Sequence, residues 1–133
     1  MATTISTFRF LKPSQVHTLH KLLMGFSSPL SQPAMLFSAC ESPENLSHYT
    51  GENNHYQLAS HLAEKLARNH PFQDGNKRTS LLAADVFFRL HGKGLRVRDE
   101  QAEDELADAQ VRIVTGEWTA EELGKYYETV AAK

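Results

Sequence analysis

Cysteine is almost absent from this 133-residue chain: Cys40 is the only one, so no disulfide can form within it. Such a chain must hold together by packing, and it suits a reducing compartment. Cys40 sits among Met35, Leu36 and Ala39, company that predicts a buried, inert thiol rather than a nucleophile. An excess of one charge is also missing. Fourteen Lys and Arg stand against sixteen Asp and Glu, leaving a formal net charge of −2 and an isoelectric point near 6.4. There is thus no overall basic field to hold a nucleic-acid backbone, and no nucleic acid is expected as a partner. No apolar run approaches the roughly 20 residues that span a bilayer. Met1 to Phe10 has neither the basic start nor the apolar stretch of a signal peptide. The expectation is a cytoplasmic protein with no membrane partner.

What the chain does have is helical periodicity. Val16, Leu19, Leu22 and Leu23 recur at helical spacing behind Pro13, which suits a first turn. A second, shorter helix is expected from Pro33, presenting Met35, Leu36, Ala39 and Cys40 and stopping before Pro43. The polar stretch Glu44 to Asn54 then reads as a loop. Leu58, Ala59, Leu62, Ala63, Leu66 and Ala67 form an unbroken stripe, with Arg68 in the last turn and Pro71 ending the helix. Past Gly75 a further helix carries Leu81, Leu82, Ala84, Val86, Phe87, Phe88 and Leu90, apolar on nearly all sides as a central helix would be, and closes at His91-Gly92. Lys93 to Arg98 is expected to be extended. Asp99 caps a helix closed by Thr115-Gly116, and Thr119 with Glu122 has capping-box spacing before a last helix. The prediction is a single all-α domain, residues 1–133, of about six helices, with a polar loop between two central ones.

That loop, His70-Pro71-Phe72-Gln73-Asp74-Gly75-Asn76-Lys77-Arg78-Thr79, concentrates the chemistry. Gly75 permits a backbone turn closed to other residues. The helix that follows directs its unpaired N–H groups and the positive end of its dipole into the turn, making an anion site. Lys77 and Arg78 strengthen it for a phosphate chain. Asp74 would repel a bare phosphate but suits Mg²⁺, which bridges carboxylate and phosphate oxygens. His70 is a base for an incoming hydroxyl, and Phe72 is an apolar anchor. Taken singly, each residue has an ordinary reading: Asp-Gly and Gly-Asn are common turn dipeptides, and a histidine often sits at a helix end. It is their concentration in one loop that points to chemistry.

The pattern at His70, Phe72, Asp74, Gly75, Asn76, Lys77 and Arg78 resembles the Fic signature, and Lys77 before Arg78 is similar to Doc-type members of that family. Leu11 to Leu23, Leu58 to Asn69, Phe87 to Gly92 and Thr115-Gly116-Glu117 also look like their Doc counterparts. The resemblance implies an all-α Fic/Doc fold and an enzyme that moves part of ATP, or of another nucleoside triphosphate, onto a Ser, Thr or Tyr hydroxyl of a protein. It assigns His70 as general base and Asp74 as the Mg²⁺ ligand. Gly75, Asn76, Lys77 and Arg78 would bind the phosphates, chemistry that needs mainly positioning and charge neutralisation.

Two departures shape the expected reaction. Longer Fic signatures carry a second arginine where this chain has Leu81, which favours phosphoryl over adenylyl transfer, although Gly75 is closer to the adenylylating members than the alanine of Doc. The inhibitory segment of many Fic proteins is approached only by Ser60 to Glu64, followed by Lys65 rather than Gly or Asn. Glu64 is therefore read as a solvated face residue, and control is expected from a separate antitoxin-like protein or from none. A translation factor is one target class that the resemblance implies. The alternatives are adenylyl transfer at the same site, a more remote nucleotide-linked donor such as one carrying phosphocholine, and a catalytically silent nucleotide- or partner-binding module.

Other features have plainer readings. Seven histidines, among them His17 with His20 and His55 with His61, lack the Cys or carboxylate cluster that would complete a zinc site. His48, Tyr49, His55 and Tyr56 flank the stretch where Fic proteins place a substrate-docking flap, and are read as an exposed polar loop. Trp118 is a packing staple, Asp99 to Asp108 the wet face of a helix, and Arg68 a complement to a helix end.

Overall fold

Helix α3, His55–Asn69, organises the molecule because its stripe is made to be buried. Leu58, Ala59, Leu62, Ala63, Leu66 and Ala67 are each at most 1% exposed, and full burial of one such leucine is worth about 1.5–3 kcal/mol. The interleaved alanines let neighbouring helices approach closely, and α3 packs against four of them. Asn54 starts it, its Oδ1 accepting the Tyr56 and Gln57 N–H groups at 2.8 and 3.2 Å. The computed structural model describes residues 8–25, 30–95 and 99–130, and among these the remaining helices are α1 (Pro13–Met24), α2 (Pro33–Thr50), α4 (Asn76–Leu90), α5 (Glu100–Thr115) and α6 (Ala120–Val130). The six-helix, all-α expectation matches this architecture. None of these helices is long and apolar enough to cross a membrane.

Several caps form as the sequence predicts. Asp99 accepts from the Ala102 N–H at 2.8 Å, and Gly116 closes α5 in the left-handed region. Thr119 and Glu122 exchange capping bonds at the start of α6. Trp118 is half-buried, its ring packed at a tilt against Tyr126 and beneath Arg112. The acidic run of α5 faces solvent. Of the stretch expected to be extended, residues 96–98 lie outside the described ones. Leu95 is buried, and its N–H donates to Asp85 Oδ1 at 2.8 Å.

Other expectations are corrected. Helix α2 does not stop before Pro43 but runs through it to Thr50. Leu36, Ala39, Cys40 and Pro43 are buried together, and Leu46 continues the line. The proline ring thus falls in register with the apolar stripe, and packing on α3 offsets the lost N–H. Most of the expected Glu44 to Asn54 loop is consequently helical, and His48 and Tyr49 occupy the last turn of α2. On α1 the buried face centres on Val16 and His20, while Leu22 is 73% exposed. Met35 is likewise 40% exposed. Glu64 is no solvated residue: its side chain is only 16% exposed, with Lys65 Nζ 4.0 Å away. The central position belongs first to α3, with α4 packed on it and on α1 and α5.

The core has two parts. One joins α3, α4, α5 and α6 through Leu58, Phe87, Phe88, Leu106, Ile113 and Tyr127. Here α6 passes close to α3 at Gly124, where a Cβ would collide with the Gln57 side chain. The other joins α1, α2, α3 and the loop before α4 through Val16, Leu36, Cys40, Leu62, Leu66 and Phe72. Burial and the nearby Glu44 and Glu41 push the Cys40 thiol up to about 12, leaving it protonated and unreactive. At the edge of the first core, His91 is fixed by the Arg9 N–H on Nε2 at 3.0 Å and by its own Nδ1–H on Phe87 O at 2.7 Å. His55 lies 4.8 Å from that ring, and burial, then His91 and Lys93, lower its pKa from the usual 6.5.

Candidate active site

The loop between α3 and α4 is shaped first by its backbone. His70 is the only described non-glycine residue in the left-handed region, at φ 48° and ψ 56°, and it caps α3. Histidine tolerates this region better than β-branched residues do. Pro71 then turns the chain away, and its carbonyl accepts the Ser31 and Gln32 N–H groups, both at 3.1 Å, with the Ser31 hydroxyl at 3.2 Å. Leu30 and Phe72 form an antiparallel bridge. A short segment before α2 therefore clasps one side of the loop.

Within the loop, Asn76 closes a ring on Phe72. Its Oδ1 accepts the Phe72 N–H at 3.0 Å, and its Nδ2 donates to Phe72 O at 2.8 Å. The amide oxygen and one of the two amide N–H groups are thereby engaged, so the side chain shapes the loop, while the Asn76 backbone N–H is a group it can offer an anion. Phe72 itself is 2% exposed and packed in the second core. Asp74 Oδ1 accepts the Gly75 N–H at 2.7 Å. Gly75, at φ 79°, is the N-cap of α4 and supplies no capping side chain. The first N–H groups of α4 have no helical acceptor and open outward, the arrangement that favours an anion.

These residues line a cleft of about 430 Å³ formed by Met24, His70, Gln73, Asp74, Gly75, Asn76, Lys77 and Arg78, a volume within the range of small-ligand sites. His70, Asp74, Lys77 and Arg78 are exposed, and none of the ion pairs among the described residues involves them. Base candidate, carboxylate, helix N-terminus and two cations thus share one surface. Arg68 is exposed on the last turn of α3 and does not line the cleft. Of the flap candidates, none lines it either: His48 borders a separate hollow with Phe8, Phe10 and Glu52. Among the described residues, no three His, Cys, Asp or Glu side chains gather as a metal cluster.

Sequence reasoning missed the supports. Met24, at the end of α1, forms one wall. His20 lies one helical turn earlier, buried against the loop with its Nε2 2.9 Å from Asp74 O. Its spacing of four from Val16 was the available signal, since both must share the inner face of α1. A second support enters from behind. Tyr127 O–H donates to Gln110 Oε1 at 2.7 Å, Gln110 Nε2 donates to Ser80 Oγ at 2.6 Å, and Ser80 O–H donates to Lys77 O at 2.6 Å. This buried chain ties the first turn of α4 to α5 and α6.

The model of the Fic/DOC family matches residues 10–88, which is more than half of the chain and includes α1 through most of α4. Comparison with curated proteins gives no match.

Proposed function

The chain belongs to the Fic/Doc family, and on that premise we propose that it is a Doc-type transferase passing a phosphoryl group from a nucleoside triphosphate to a protein hydroxyl. The observation that carries this is the convergence in one cleft of His70, Asp74 and the uncapped start of α4 with Lys77 and Arg78. In the step proposed, His70 accepts the proton of a Ser, Thr or Tyr hydroxyl. That oxygen forms a bond to the terminal phosphorus, the bond to the bridging oxygen breaks, and the nucleoside diphosphate leaves with the electron pair.

The N–H groups of the first turn of α4, Asn76 to Arg78, reached through the Gly75 turn, with the Lys77 and Arg78 side chains, hold the phosphates and draw off charge as it develops on the leaving oxygens. Because Asp74 Oδ1 already serves the Gly75 N–H, that bond fixes the carboxylate's direction. A lone oriented carboxylate beside a phosphate cradle fits Mg²⁺, which takes one or two carboxylates and completes its shell with phosphate oxygens and water. Bound there, the ion would neutralise phosphate charge. The phosphoryl reading rests on Leu81, which is half-buried against the first core and leaves that position without the cation of adenylylating relatives. A translation factor is one target class for the acceptor protein. Glu64 lies within α3, the helix that leads into the active loop, with Lys65 Nζ 4.0 Å away and Lys65 rather than Gly or Asn after it. It is read as no built-in inhibitor, and a separate antitoxin-like protein would provide control.

Two reactions with purified protein, Mg²⁺ and host-cell lysate, one with ATP labelled at the γ-phosphate and one at the α-phosphate, test the proposal. Transfer of γ label alone, lost in His70→Ala, is expected. Transfer of α label would make the chain an adenylyl transferase. Transfer of neither, with several nucleotide donors, would leave a silent binding module.

A further inference from the structure

We propose that His20 is a positioning residue for this reaction, holding Asp74 and the loop from α1. It rests on the transferase reading above and extends it to a residue outside the loop. The His20 ring is 1% exposed and lies flat on Phe72, centroids 3.9 Å apart and planes within 5°. Its Nε2 is 2.9 Å from Asp74 O. A carbonyl can only accept, so the proton sits on Nε2. Nδ1 is buried with no hydrogen-bond partner, a desolvation cost that the stack and the Nε2–H bond must offset.

One side chain therefore makes two contacts with the loop, a stack on its anchor and a hydrogen bond to the residue carrying the carboxylate. A third contact follows from shape. A Cβ on Gly75 would come within 3.4 Å of His20 Nε2 and 2.8 Å of Met24 Sδ, so α1 is seated against the turn itself. With its carbonyl held by His20 and its Oδ1 by the Gly75 N–H, Asp74 is fixed at both backbone and side chain. A base and a carboxylate must stay in register for in-line transfer, and displacements near 1 Å cost on the order of a hundredfold in rate. His20 touches none of the reacting groups, so its contribution is to place Asp74.

Two substitutions separate its parts. His20→Phe keeps a flat ring on Phe72 and loses the N–H. His20→Gln keeps an N–H that reaches Asp74 O and loses the stack. For each, kcat and KM for ATP would be measured alongside amide hydrogen exchange at Phe72, Gly75 and residues 83–88 of α4. His20→Phe should lower kcat roughly tenfold to a hundredfold with a smaller change in KM, and speed exchange at Phe72 and Gly75 while 83–88 stay protected. His20→Gln should recover most of both.

Wild-type kcat and loop exchange in His20→Phe would overturn the proposal. So would equal impairment of the two variants, which would reduce His20 to a space-filler. Should His20→Phe lose protection at 83–88 as well, the decision passes to His20→Gln: protected loop amides there support the hold, and fast ones refute it. A wild type that transfers nothing would sink the transferase reading, while the exchange data would still decide whether His20 holds the loop.

Discussion

The buried chain from Tyr127 through Gln110 and Ser80 to Lys77 O makes a quantitative prediction, because every donor in it has one acceptor. Tyr127 is fully buried and Gln110 is 2% exposed, so a severed link cannot be repaired by bulk water. Tyr127→Phe leaves Gln110 Oε1 without its donor, and a stranded buried acceptor costs about 1–3 kcal/mol. Gln110→Leu strands the Tyr127 hydroxyl instead, while Ser80 keeps its bond to Lys77 O, so a similar cost of about 1–3 kcal/mol is expected. The double substitution strands neither partner. It should therefore cost less than the sum of the singles, with a coupling of about 1–2 kcal/mol, inside the range for residues in one hydrogen-bond network. Against a total stability of about 5–15 kcal/mol these are large effects, and each kcal/mol should move the melting temperature by roughly 4 °C in a domain of this size. Urea unfolding of the wild type, both singles and the double gives the cycle. Singles within about 0.5 kcal/mol of wild type, or strictly additive ones, would refute the drawn network.

Two further outcomes follow from the structure. Gly75→Ala should destabilise by about 1–2 kcal/mol, because an alanine at positive φ meets its own carbonyl while Met24 must turn aside. Urea midpoints read this, and an unchanged midpoint would show that the turn is not held left-handed. His55, with its pKa lowered in the fold, is accepted there as the neutral ring. Its contribution to stability is therefore complete above the usual 6.5 and is lost as pH falls through the lowered folded value. His55→Phe should flatten the fall of the urea midpoint between about pH 7.5 and about pH 5, and equal slopes would count against the assignment.

How far the sequence could be read depended on how local each signal is. The α3 stripe and the caps at Asp99, Thr119 and Gly116 are each written within a few consecutive residues and take the form expected, and the motif from His70 to Arg78 is equally local, its polar residues lining one cleft. Helix α2 was misjudged because Pro43 is a local stop sign, while its fit to the stripe of Leu36, Ala39 and Cys40 shows only once α3 is beside it. Beyond Pro43 only Leu46 meets the core, so residues 44–50 carry almost no periodic signal. On α1 the hydrophobic pattern favoured Leu22, yet the inner face belongs to a histidine, because its partner ring, Phe72, lies far along the chain. Asn76 was legible as part of the loop, but its bonds to both backbone groups of Phe72 were not.

The clasp on the active loop also sets an order of assembly. Helices α3 and α4 are consecutive in the chain, and their pairing closes only a short loop. The bonds that finish the site come from much farther away: Ser31 to Pro71 spans 40 residues and His20 to Asp74 spans 54. Contacts between distant residues cost more closure entropy and form later. The α3–α4 hairpin can therefore be in place before the cleft has its final shape, and a fluctuation that lifts α1 alone would undo the cleft while leaving the hairpin intact. The shape that chemistry needs is then expected to follow the α3–α4 hairpin on folding and to be lost before it on warming.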